Sequence, residues 1–186
     1  MGAWRLLGAH EGHELVRFST DGDGIVLAGA TIGVEDGVPW HLRYLIEVTA
    51  GSWQVRRATC TDHAGTRLDI RTEGPGRWIV DGQRRADLDG CLDLDLEASV
   101  VTNTLPVHRL GLPVGRSGES LAAYLRTDGL RLERLDQTYR RLPDRAGTLV
   151  FDYASPRFDY RETLQFGADG LVADYPGIGA RIPLKA

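Results

Sequence analysis

The sequence predicts an all-β protein, mainly antiparallel, in which the strands form one curled or barrel-like sheet with at most one or two short helices. Three observations lead there. Apolar side chains alternate with period two, as in Leu42, Tyr44, Ile46 and Val48, in Leu149, Phe151 and Tyr153, and in Tyr160, Glu162, Leu164 and Phe166; a strand sends alternate side chains to opposite faces. Glycine-bearing turn signals recur between these runs. About a dozen short strands are more than one flat sheet accommodates, so the sheet must twist, curl or close to manage its edges. A rolled antiparallel sheet is the first architecture and a two-sheet sandwich the second.

Taken in order, the elements read as follows. DGDG at Asp21 to Gly24 and EDG at Glu35 to Gly37 mark hairpins, with the Leu42 to Val48 strand after them. Trp53 and Trp78 stand in further strands, and EGPG at Glu73 to Gly76 and DG at Asp81-Gly82 supply turns. CLDLDLEA, Cys91 to Ala98, is a strand with Leu92, Leu94 and Leu96 on one face and Asp93, Asp95 and Glu97 on the other. Pro106 pushes Leu105 toward an extended conformation, making Thr102 to Thr104 a tight corner before a strand at Val107 to Leu110. SGESLAAYLR, Ser117 to Arg126, is ambiguous between helix and strand. GADG at Gly167 to Gly170 closes a last hairpin.

The totals bound the function. A chain of 186 residues can bury one core and its length requires no second domain, so residues 1–186 are read as a single domain. With 42% apolar and 26% charged residues it is too hydrophobic for intrinsic disorder. A net charge of -4, with basic residues scattered singly or in pairs such as Arg56-Arg57, Arg84-Arg85 and Arg140-Arg141, argues against nucleic acid as a partner. No apolar run reaches signal-peptide or membrane-span length, and Leu6 stands where a myristoylation signal needs Ser or Thr. A cytoplasmic address is expected. Cys60 and Cys91 form no CxxC pair and read as reduced core thiols rather than a disulfide or zinc site.

Three groups of residues could carry chemistry. The carboxylate row Asp93, Asp95 and Glu97 must be solvated, paired with arginine, or bound to a cation, because like charges on one strand face repel. The simplest reading is a solvated outer face; pairing with Arg109, Arg56 or Arg57 comes next. Metal comes last, because no glycine turn interrupts the run. TNTLPVHRLGL, Thr102 to Leu112, is either a structural corner or, given the donors and acceptors of Asn103 and the five donors of Arg109, a contact surface for a polyhydroxylated ligand. Tyr139, which follows Gln137 in DQTYRRL, and Tyr175 in LVADYPGIG sit at strand ends where a ring could frame a cavity mouth, although core packing is the default for large aromatics.

Recognisable catalytic motifs are missing. His10 and His13 lie in HEGHE, which lacks the spacing of zinc proteases and reads as a surface loop, and His41, His63 and His108 are isolated. Ser52, Ser99, Ser117 and Ser120 have no GxSxG elbow, and no phosphate-binding glycine pattern occurs. No cofactor is expected.

The blocks WIVDG, GCLDLDL, TNTLPVHRLGL, DQTYRRL and GLVADYPGI, in this order from Trp78 to Ile178, resemble a bacterial family labelled putative glycolipid-binding proteins. The similarity runs from Trp4 to about Arg181. It implies a spiral β-roll and a glycolipid or similar amphiphile as ligand. The residues it points to are Asp93, Asp95, Thr102, Asn103, Thr104, Arg109, Gln137, Tyr139 and Tyr175. Two departures stand out: His108-Arg109 replaces the family's paired arginines, and EASVV lacks its proline and phenylalanine. Two other functions compete, a hydrolase acting on a sugar or ester through Asp93 and Asp95 or Asp174, and a structural or assembly protein whose polar corner locks the fold.

Overall fold

The computed structural model describes residues 1–8 and 11–185, so the loop expected at His10 lies outside the described residues. Fifteen strands follow in chain order: β1 (Gly2–Leu6), β2 (Gly12–Asp21), β3 (Gly24–Glu35), β4 (Val38–Thr49), β5 (Val55–Asp62), β6 (Arg67–Thr72), β7 (Trp78–Val80), β8 (Gln83–Arg85), β9 (Asp93–Leu96), β10 (Ser117–Arg126), β11 (Arg131–Arg145), β12 (Thr148–Ser155), β13 (Tyr160–Phe166), β14 (Val172–Tyr175) and β15 (Gly179–Arg181). One α-helix, α1 (Thr104–Leu110), follows a 3-10 turn at Val101–Asn103.

All fifteen strands belong to one sheet, in the order β8-β7-β6-β5-β4-β3-β2-β1-β15-β14-β13-β12-β11-β10-β9. The first eight strands run as one antiparallel meander and β10 to β15 as another, joined where Trp4 to Leu6 pair with Arg181 to Gly179. Among the described residues only β9 is parallel to its neighbour, β10. Laid flat, fifteen strands would set the two edges roughly 65 Å apart. Yet residues 86–92 alone connect edge strand β8 to edge strand β9, and that stretch reaches at most about 30 Å. The sheet is therefore curled into a roll, with β8 and β9 left unpaired to each other. The predicted all-β, curled architecture is what forms, and the sandwich is not.

The hairpins sit where the turn signals placed them. Asp36-Gly37 has φ values of 50° and 79°, and Asp81-Gly82 of 47° and 78°, the positive pairs that a two-residue loop needs to match strand twist. One open reading is resolved and three expectations are corrected. Ser117 to Arg126 is strand β10. Val107 to Leu110 is helical, and so is Leu105. Pro106 is tolerated because it is the third helical residue, where the missing N–H has no intrahelical acceptor. Burial of Leu105 and Val107 in the roll outweighs the extended preference before proline, and Gly111, at φ 52°, ends the helix by donating to the Val107 carbonyl. Trp53 lies in the β4–β5 turn at φ 56° and stacks on His108 with centroids 4.0 Å apart. His13 belongs to β2 rather than to a surface loop.

The concave face of the roll buries Trp4, Trp78, Tyr139, Tyr153 and Phe166 completely. The Trp4 indole donates to Val172 O at 2.7 Å and the Trp78 indole to Cys91 O at 2.8 Å, so neither ring N–H is orphaned. Cys60 and Cys91 are free and buried, and burial pushes their thiols up to about 12 and about 11. From Asp93 to Val107 nearly every residue is buried. A curled sheet encloses space, and this crossover segment fills it.

Candidate functional site

The carboxylate row is interior. Asp93 is 1% exposed and Asp95 9%, which overturns the solvated-face reading: the helical segment lies over that face of β9 and bonds to it. Arg109 donates to both oxygens of Asp93, from Nε at 2.8 Å and from Nη2 at 2.6 Å, and Ser120 Oγ donates at 2.6 Å. This is the forked pairing that guanidinium and carboxylate favour. Asp95 instead accepts from Thr102 Oγ1 at 2.8 Å and from Gln137 Nε2 at 2.7 Å. Burial pushes its carboxyl up to about 6, and these two hydrogen bonds offset part of the rise. Glu97 pairs with Arg126 at 3.0 Å and accepts from the backbone and hydroxyl of Thr127. Arg56 and Arg57, the other expected partners, bond Asp23 and Asp69.

A fourth carboxylate escaped the sequence reading. Glu14 in β2 is buried and accepts from Tyr44 OH, from Ser99 Oγ at 2.5 Å, and from the backbone N–H of Val100 at 2.8 Å and Val101 at 3.2 Å. Burial raises its pKa against those donors. It ties the sheet to the start of the 3-10 turn. The available signal was phase: Glu14 alternates with Val16 and Phe18, while Leu15 faces out.

Beside the buried segment lies a cavity of about 320 Å³. Asp95, Ser99, Asn103, Tyr153 and Tyr175 supply polar atoms, and Leu6, Leu96, Ala98, Val100 and Leu135 supply apolar wall. Tyr153, Tyr160 and Tyr175 pack mutually, with centroids 5.7 to 6.0 Å apart, close to the tilted arrangement that aromatic quadrupoles favour. Burial raises the hydroxyl pKa of Tyr153 and Tyr175, so both are neutral, and the Tyr175 hydroxyl donates to that of Tyr153. Gln137 Nε2 also donates to Tyr153 OH at 2.9 Å, linking the tyrosines to Asp95. Tyr139 OH donates to Asn103 Oδ1 at 2.7 Å; no protein acceptor engages Asn103 Nδ2 among the described residues.

A family model described as "Putative glycolipid-binding" matches residues 1–181. The chain belongs to that family. A crystal structure of a DUF1089 family protein from Pseudomonas aeruginosa is similar at 29% identity, over 91% of this chain and 92% of that one, with a TM-score of 0.75. No match was found among the curated proteins.

In this member of the family, the nine residues singled out in the sequence fall into three sets. Asp95, Asn103 and Tyr175 line the cavity. Thr102, Gln137 and Tyr139 stand behind them and hold them by hydrogen bonds; Tyr139 lies in mid-strand and is wholly buried, not at a strand end. Asp93 and Arg109 are spent on each other, and Thr104 is buried with no partner for its hydroxyl among the described residues. Asp93 and Asp95 therefore share no open space, and Asp174 does not line the cavity either. The sequence reading missed Tyr124, Tyr153, Phe158 and Tyr160; two of these were read only as strand alternation. Among the described residues no group of three His, Cys, Asp or Glu could hold a metal, and no helix is long and apolar enough to cross a membrane.

Proposed function

We propose that the protein binds the hydroxylated head of a glycolipid, or of a similar amphiphile, in the cavity beside Asp95 and Asn103, and that it does so in the cytoplasm. The observation that carries this reading is the cavity's composition: apolar and aromatic walls around a few convergent polar groups that are themselves fixed from behind. Asn103 Nδ2 is a donor for sugar oxygens, the Tyr175 hydroxyl, whose proton goes to Tyr153, keeps lone pairs for sugar hydroxyls, and Asp95 is an acceptor at neutral pH. Tyrosine faces suit the apolar C–H face of a sugar ring. At about 320 Å³ the space is at the small end of ligand sites, so it accommodates a head group with a few methylenes. Each buried methylene contributes about 0.8 kcal/mol, and the polar groups set selectivity.

Asp93 and Arg109, also candidates for the head group, are assigned a bracing role by the saturation of both carboxylate oxygens. Native mass spectrometry of freshly purified protein, followed by solvent extraction, is expected to recover a bound amphiphile. Calorimetric titration with octyl glucoside supplies the quantitative check, in which Asn103→Leu weakens binding by about tenfold or more. An empty protein from several hosts, with no heat of binding, would refute the reading.

A further inference from the structure

We propose that the rim of this cavity docks onto a lipid bilayer, so that the head group is bound while its acyl chains stay in the membrane; this rests on the head-group reading above. Leu7, Phe158 and Ile178 line the cavity and yet are 37%, 44% and 38% exposed, which places them at its opening. Leu7 and Ile178 are held side by side, the Leu7 N–H donating to Ile178 O at 2.8 Å. Phe158 comes from the separate 3-10 turn Pro156–Phe158, its ring 5.6 Å from that of Tyr124. Single exposed apolar residues are ordinary, but three around one polar-floored opening form a continuous surface with the cavity interior.

Volume decides what covers that surface. A space of about 320 Å³ cannot enclose a head group together with long acyl chains, so the chains must leave through the mouth, past these three side chains. A bilayer keeps those chains out of water and also covers the rim. Arg157 adds the expected neighbour: it is exposed, with its guanidinium 6.0 Å from the Phe158 ring and 2.8 Å from Glu133. An arginine beside an inserted aromatic can reach the phosphate layer while its stem stays against apolar surface.

The test is cosedimentation with phosphatidylcholine vesicles containing or lacking a diacyl glucoside, alongside calorimetry with octyl glucoside. The wild-type protein is expected to bind the glucoside vesicles, and Phe158→Asp with Ile178→Asp to weaken vesicle binding on the order of tenfold or more, beyond any loss on the soluble glycoside. Phe158→Trp should retain vesicle binding and be quenched by brominated lipid, which settles the matter even if the double variant melts early. Equal vesicle binding by wild type and double variant overturns rim docking. So does binding of octyl glucoside without binding of vesicles, or a wild-type dimer that the double variant abolishes; both leave the head-group reading intact. Binding to neither probe overturns both.

Discussion

Asp95 is the residue at which structure and pH meet. Its folded pKa, near 6, lies above the ordinary 3.8, so the folded protein holds a proton that the unfolded chain releases. The resulting stabilisation is full below about pH 4 and lost as pH rises through about 6, on the order of 3 kcal/mol in all. Asp95→Asn cannot titrate. Its stability relative to wild type should therefore improve from pH 4 to 7, as read by urea denaturation at each pH. Arg109→Ala acts in the other direction at its own site, leaving Asp93 buried with its charge unpaired, and should cost about 3 to 5 kcal/mol. Arg109 was legible only as one of three arginines, with Arg56 and Arg57, that could pair with the row, because like charges on one strand face repel unless they are solvated or paired. The burial of the row was not, since alternation gives the faces of a strand without saying which is covered.

Among the elements, the 3-10 turn and α1 were the least legible. Thr and Val are modest helix formers and Pro106 discourages helix before it, so local propensity favoured a strand. What fixes the helix is long-range: interior burial of Val101, Leu105 and Val107, and the Glu14 carboxylate on the N–H groups of Val100 and Val101. Glu14→Ala should leave those donors unsatisfied and cost about 2 to 4 kcal/mol. Hydrogen exchange should accelerate over residues 99–110 well before the β2–β4 hairpins. The hairpin turns, by contrast, were readable because Asp-Gly meets a purely local φ requirement. Trp53 was misplaced for a tertiary reason as well, its stacking on His108.

At the scale of the molecule, strand number was enough to predict curling, because so many strands cannot lie flat and unprotected. It could not show that the crossover from β8 to β10 fills the roll, nor that the filling is incomplete beside Asn103. The aromatic trio that walls the remaining space, Tyr153, Tyr160 and Tyr175, comes from β12, β13 and β14, and its rings meet only once those strands pair. Ligand binding should stabilise the whole roll by mass action, adding about 2.7 kcal/mol at a hundredfold excess of ligand over Kd, visible as a concentration-dependent Tm. Amide chemical-shift mapping during titration with octyl glucoside tests the central claim most directly. Perturbations confined to Leu6 and Leu7, residues 95–100, Asn103, Tyr124, Leu135, Tyr153 to Tyr160 and Tyr175 to Ile178 are predicted. Saturable shifts on the outer face of β2 to β4 alone, or no saturable shift anywhere, would contradict it.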